Sequence, residues 1–173
     1  MKKIAIVING AGGVGKDTLC ALAAKHFRVR NVSSITPIKE IATVCGWNGT
    51  KDKKGRKFLS DLKRVTAAYN DYPTNWAEQK YREFLLSDDE VFFVHIREAG
   101  EIRKFVDRTG GAAKTLLIRG GRRFVRRAHA YGNASDDLVE NYPYDYYYVN
   151  EKPLAEAEEE FSALIRRMAE NEG

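Results

Sequence analysis

The residues best suited to chemistry fall in one short stretch, Gly10-Ala11-Gly12-Gly13-Val14-Gly15-Lys16-Asp17-Thr18. Glycines let successive backbone N–H groups turn inward around a phosphate without Cβ clashes. A helix opening at Lys16 adds the positive end of its dipole, and Lys16 supplies a mobile charge for the terminal phosphates of a nucleotide. The spacing of glycines and lysine is that of a phosphate-binding loop, and an apolar run before it with helical spacing after it is the context such a loop requires. One residue departs from the usual pattern. Asp17 stands where Ser or Thr is standard, and Thr18 follows one place later. A carboxylate beside bound phosphates is repulsive unless a cation lies between them. Asp17 therefore has two readings, a Mg²⁺ ligand (directly or through water) or a favourable charge at a helix N-terminus. Thr18 is either a hydroxyl for phosphate or metal or an ordinary first-turn threonine.

These residues need elements to hold them. Ile4, Ile6, Val7 and Ile8 form an apolar, β-branched run without polar alternation, as in a central parallel strand. Lys16 to Phe27 has helical spacing through Leu19, Leu22, Ala23 and His26. Val29–Ser33, Val91–Ile96, Thr115–Ile118 and Tyr144–Val149 are further strand candidates. Between them, helices are expected from Thr36-Pro37 towards Cys45, around Phe58 to Ala68, from Trp76 to Leu86 and from Gly100 to Asp107. Pro153 opens a last helix with Leu154, Phe161, Leu164, Ile165 and Met168 on one face. Strands alternating with helices predict an α/β fold with a parallel sheet of about five strands and right-handed crossovers.

With 173 residues, the chain can bury roughly 70% of its unfolded surface in a single domain, residues 1–173, without disulfides or structural metal. Cys20 and Cys45 are its only cysteines and read as reduced core thiols. The longest apolar run is far below the ~20 residues of a membrane span, and a cytoplasmic location is expected. Basic residues outnumber acidic ones 29 to 24, but their placement matters more. Lys51 to Arg64 holds seven basic residues against two acidic, and Arg103 to Arg127 holds nine against Asp107 alone. From Ala128 onward eleven acidic residues face three basic ones. Such polarity suits a phosphate-rich ligand, and charge alone does not separate a small molecule from nucleic acid.

Gly15-Lys16-Asp17-Thr18 resembles the Gly-Lys-Asp-[Ser/Thr] loop of phage-type deoxynucleoside monophosphate kinases, to which the phosphomevalonate kinase of animals is related. Thr36-Pro37-Ile38-Lys39-Glu40 is similar to the family's Ala-x-Pro-[Leu/Ile]-Lys segment. His95-Ile96-Arg97 with Glu101-Ile102 resembles its Asp-Val-Arg-x-x-x-Glu-[Ile/Leu] segment, and Ser135-Asp136 through Tyr144-Asp145-Tyr146 to Asn150 its closing part. The resemblance implies a P-loop NTPase of the nucleoside monophosphate kinase kind, using ATP and Mg²⁺ to transfer a phosphoryl group to a small phosphorylated acceptor, foremost a nucleoside or deoxynucleoside monophosphate giving the diphosphate and ADP. His95 is the main departure, because the family usually has Asp there. A neutral imidazole at that strand end can bind the acceptor, or it can be a satisfied, half-buried histidine.

Such an enzyme needs a second cationic site for the acceptor phosphate, and Lys39, Arg64 and Arg97 are the candidates. Arg97 follows an apolar strand at the carboxyl edge, where open α/β sheets bind ligands, and is also a candidate catalytic residue; an ion pair with Glu98 or Glu101 is its structural alternative. Ser60 and Asp61 are weaker candidates for contacts to a base or sugar. The run Lys51 to Lys57 reads as a solvated loop. Arg119-Gly120-Gly121-Arg122-Arg123-Phe124-Val125-Arg126-Arg127 has the hinges and guanidinium groups of an inserted lid, about residues 119–130, with Arg119 and Arg123 the candidate catalytic arginines; an exposed basic helix is the structural alternative. Competing readings are a kinase for a non-nucleotide phosphorylated metabolite and a nucleic-acid-binding module. Tyr146, Tyr147 and Tyr148 fall in a strand and make a poor stacking platform.

Overall fold

The computed structural model describes residues 1–50, 52–121 and 139–171. At its centre is β1 (Ile4–Asn9), whose six residues are all buried. A strand buried on both faces must be apolar throughout, which accounts for the run read from the sequence. Around it lie β2 (Val29–Ser33), β3 (Val91–His95), β4 (Lys114–Gly120) and β5 (Tyr146–Asn150). The sheet has the order β2-β3-β1-β4-β5, and every neighbouring pair is parallel.

The helices cover both faces. They are α1 (Lys16–Ala23), α2 (Thr36–Val44), α3 (Lys53–Asn70), α4 (Tyr72–Leu86), α5 (Ala99–Arg108) and α6 (Leu154–Glu170). Along β1 the side chains alternate between two cores. Ile4, Ile6 and Ile8 join Leu19 of α1 and Phe161, Ile165 and Met168 of α6, whereas Ala5 and Val7 join Phe84 of α4 and Phe105 of α5. Phe161 is fully buried, with its ring centroid 6.2 Å from Phe93 and 5.3 Å from Tyr148. The crossover β1-α1-β2 moves outward on one face, and β3-α5-β4 returns past β1 on the other. The chain direction reverses beside β1, and a crevice opens beyond the carboxyl ends of the strands there.

Several boundaries differ from the sequence expectation. The helix after the glycine loop ends at Ala23, and His26 lies beyond it, 2.8 Å from Glu158. The segment Lys51–Lys57 is not a solvated loop where described. Asp52 caps α3, its Oδ1 accepting from Gly55 N at 2.7 Å, and this satisfies an end donor that the run of lysines conceals. Cys20 is buried as expected, but Cys45 is exposed, because α2 ends at Val44 and the chain turns outward. Leu154 is likewise exposed at the start of α6. Tyr148 enters the core, while Tyr147 faces outward. Among the described residues no helix is long and apolar enough to cross a membrane.

Replacing Phe161 by Ala removes the ring shared by both sides of the first core, and a loss of about 3–5 kcal/mol is expected. Urea denaturation measures it, and a loss below 1 kcal/mol contradicts this account of the packing.

Candidate active site

The glycine loop is shaped by what surrounds it. Gly10 has φ +150°, and a Cβ there would lie 2.4 Å from the backbone oxygen of Ile118 in β4. Only glycine lets the chain leave β1 so close to the neighbouring strand. Gly15 has φ +88° and begins α1 in the left-handed region, so Lys16 and Asp17 enter the first turn directly beneath the loop. Side chains from distant strands hold the loop at both ends. Asn9 Oδ1 accepts from Gly10 N at 2.8 Å, while Asn9 Nδ2 donates to Arg97 O at 3.0 Å and Tyr144 Oη at 2.8 Å. The Tyr144 hydroxyl donates onward to Val139 O, and burial pushes its pKa up to about 12. Asn150, at the end of β5, donates to Val14 O at 2.9 Å. Lys16 Nζ bonds Gly10 O at 2.5 Å and Ala11 O at 2.9 Å, which folds its ammonium over the loop.

Beyond the strand ends lies a cleft of about 1010 Å³. Gly12, Gly13, Lys16 and Asp17 form one side of it. Lys39 of α2 and Arg56, Ser60 and Lys63 of α3 line it as well, together with His95, Arg97 and Glu98 at and after the end of β3. Of the acceptor residues expected from sequence, Lys39 and Arg97 thus reach the cleft. Arg64 does not: its side chain is 72% exposed and faces Asp61 at 3.8 Å. Thr18 is exposed beside the loop and outside the cleft lining. Arg119 also lies outside it, paired with Glu140 through Nε at 3.0 Å and Nη2 at 2.7 Å and stacked over Tyr147 at 4.7 Å. Arg123, like most of the expected lid, falls outside the described residues.

Sequence reasoning missed Arg56 and Lys63. The signal was present: Arg56, Leu59, Ser60 and Lys63 are spaced i, i+3, i+4, i+7 and share one helical face. Lys63 is mostly buried between two carboxylates, paired with Glu98 and 2.9 Å from Glu101 Oε2. That contact lies off the hydrogen-bonding line, and Glu101 Oε2 has no hydrogen-bond partner. Burial, followed by the hydrogen bond with Glu98, raises Glu101 to about 7. Burial would raise Glu98 too, but the hydrogen bond with Glu101 and the charges of Lys63 and Arg97 hold it below the usual carboxylate range.

His95 ends β3 on the α1 side, its Nε2 2.9 Å from Asn31 Oδ1 and 3.9 Å from Asp17 Oδ1. An accepting amide oxygen places the ring hydrogen on Nε2. Burial lowers the imidazole pKa, which Asp17 opposes and Lys16 reinforces, so the ring is neutral at pH 7. Asp17 itself extends into solvent with its side chain 96% exposed. Among the described residues no group of three His, Cys, Asp or Glu side chains is arranged to hold a metal. One carboxylate next to a phosphate loop fits Mg²⁺, which keeps most of its waters and takes its other ligands from phosphate oxygens.

No family model and no curated protein matches this chain. Solved structures do. A gluconokinase from Sinorhizobium meliloti 1021 is similar at 16% identity over 97% of this chain and 94% of its own, with a TM-score of 0.57. The tunicamycin resistance protein of Deinococcus radiodurans is similar at 11% identity over 95% and 96%, TM-score 0.59. A shikimate kinase of Aquifex aeolicus is similar at 12% identity over 96% and 98%, TM-score 0.51. At these identities the likeness is one of fold, and the fold is that of the P-loop kinases across nearly the whole chain.

Gly10→Ala forces a Cβ into Ile118 O from a left-handed backbone, so it is expected to cost about 2 kcal/mol or more. A thermal melt is the check, and an unchanged Tm would remove the close approach of loop and β4 from the account.

Proposed function

We propose that this protein transfers the terminal phosphoryl group of ATP to a small phosphorylated acceptor, a nucleoside or deoxynucleoside monophosphate being the acceptor the residues suit best. The observation that carries this reading is one cleft with two cationic sides. The glycine loop and Lys16 line it together with Lys39 of α2, Arg56 and Lys63 of α3, and Arg97 after β3. Residues Gly10 to Gly15 wrap the triphosphate, and Lys16 exchanges its carbonyl partners for phosphate oxygens. Asp17, with Thr18 beside it, would hold Mg²⁺, which supplies charge neutralisation on the phosphates when bound. Lys39 and Arg97 hold the acceptor's phosphate in line with the transferred group. Arg97 is the guanidinium assigned to stabilise charge in transfer, with Arg123 the remaining lid candidate.

A phosphate monoester has its second pKa near 6 and is largely dianionic at pH 7. Its oxygen attacks the terminal phosphorus directly while the bond to the ADP oxygen breaks, and no strong general base is required. Positioning and charge carry the rate. A second reading, transfer to an acceptor hydroxyl, is favoured by the neutral His95 imidazole within the same cleft, since a hydroxyl needs a proton acceptor. The concave placement of the cleft cations argues against an extended polynucleotide track.

ADP release from Mg-ATP across ribo- and deoxyribonucleoside monophosphates, with sugar acids and other hydroxyl acceptors alongside, tests the reading. Activity confined to one or two monophosphates supports it, and activity with hydroxyl acceptors alone replaces it with the second. Lys16→Ala is expected to lower kcat by about 10²–10³-fold or more with the circular dichroism spectrum unchanged. Arg97→Ala is expected to raise the acceptor KM more than the ATP KM; an unchanged acceptor KM makes Arg97 structural.

A further inference from the structure

The cations of the acceptor side are not equivalent. Lys39 and Arg56 line the cleft without a carboxylate among their described ion pairs, whereas Lys63 is held by Glu98 and Glu101. Glu98 lines the cleft with Lys63; Glu101 lies behind them, one helical turn along α5. An anion arriving at Lys63 therefore meets a carboxylate already bound to it. Two ionised carboxylates and one ammonium sum to a charge of −1, which repels the anion. With one proton shared between the carboxylates the sum is zero, and Lys63 becomes available to a new partner.

We propose that the Lys63–Glu98–Glu101 cluster takes up one proton when an anion binds in the acceptor half of the cleft, handing Lys63 from the carboxylates to the anion. The proton comes from solvent and lies on Glu101, whose O–H then donates to Glu98; no covalent bond changes. This rests on the kinase reading of the cleft. The charged groups acting on the pair are Lys63 from α3 and Arg97 from the end of β3, with Arg56 of α3, Lys39 of α2 and His95 of β3 lining the same cleft. Burial already brings Glu101 to about 7, so an added negative charge nearby moves the proton onto it at neutral pH. By linkage the reverse holds equally: protonating the pair tightens the anion. The cluster thus favours dianionic acceptors and makes their binding strengthen as pH falls through 7.

Inorganic sulfate is the probe, because its charge stays constant across this range. Its binding is measured by calorimetry on the full chain saturated with Mg-AMPPNP, so that the phosphate loop is occupied. The expected result is sulfate binding at least about fivefold tighter at pH 6.5 than at pH 8.5, with proton uptake at pH 7 read from two buffers of different ionisation enthalpy. Glu101→Gln, which mimics the protonated acid, should bind sulfate as the wild type does at low pH, with no pH dependence and no proton uptake. Lys63→Met should weaken sulfate at every pH. A wild-type affinity that is flat with pH, a Glu101→Gln variant that keeps the slope, or absence of sulfate binding each overturns the proposal. Failure to bind Mg-AMPPNP counts against the kinase reading instead, and the comparison of wild type with Glu101→Gln still decides the proton linkage.

Discussion

The buried amide of Asn9 ties together the strand ends from which the cleft is built. It sits where β1 leaves the sheet, holds the first N–H of the glycine loop, and bonds the backbone after β3 and the hydroxyl of Tyr144. Parallel register sets Ile8 level with His95 on one side and Leu116 on the other, so a single side chain can reach all three neighbours. Buried amides are costly unless satisfied, and here both ends of the group are used. Asn150 repeats the device at the far end of the loop. The phosphate loop is therefore held by the sheet, and the glycines supply only the freedom to be held there.

Charge is arranged around that frame with the same economy. Lys16 and the α1 N-terminus face a wall of lysine and arginine from α2 and α3. Each of these cations sits on a helix or just beyond a strand end. Among the described cleft cations of α2 and α3, Lys63 is the one paired with carboxylates, those of Glu98 and Glu101. Asp17 carries the exposed carboxylate beside the glycine loop, and His95 behind it remains neutral because burial disfavours its charged form.

The parts of this architecture that depend on neighbours in sequence were legible before the structure. The apolar run of β1, the glycines, Lys16, the Thr36-Pro37 helix start and Pro153 all act through local conformation. Asn150 belongs to the closing motif, but its bond to Val14 joins residues far apart in the chain and has no local signature. Sequence points to Arg64, whereas Lys63 lines the cleft, because one residue along a helix rotates a side chain by about 100°. Arg119 appeared well placed for phosphate until Glu140, 21 positions on, claimed its guanidinium. Cys45 appeared apolar only because the end of α2 was not visible. Long-range pairing and helix phase, rather than element type, were what sequence withheld.

The most direct test of phosphoryl transfer to a phosphate is ³¹P NMR of the products formed from Mg-ATP and the acceptor that supports ADP formation. The account predicts a new diphosphate, seen as a pair of coupled doublets from the acceptor, with ADP in equal amount. A new monoester singlet would show transfer to a hydroxyl, and free phosphate alone would show hydrolysis. Either result contradicts the central claim.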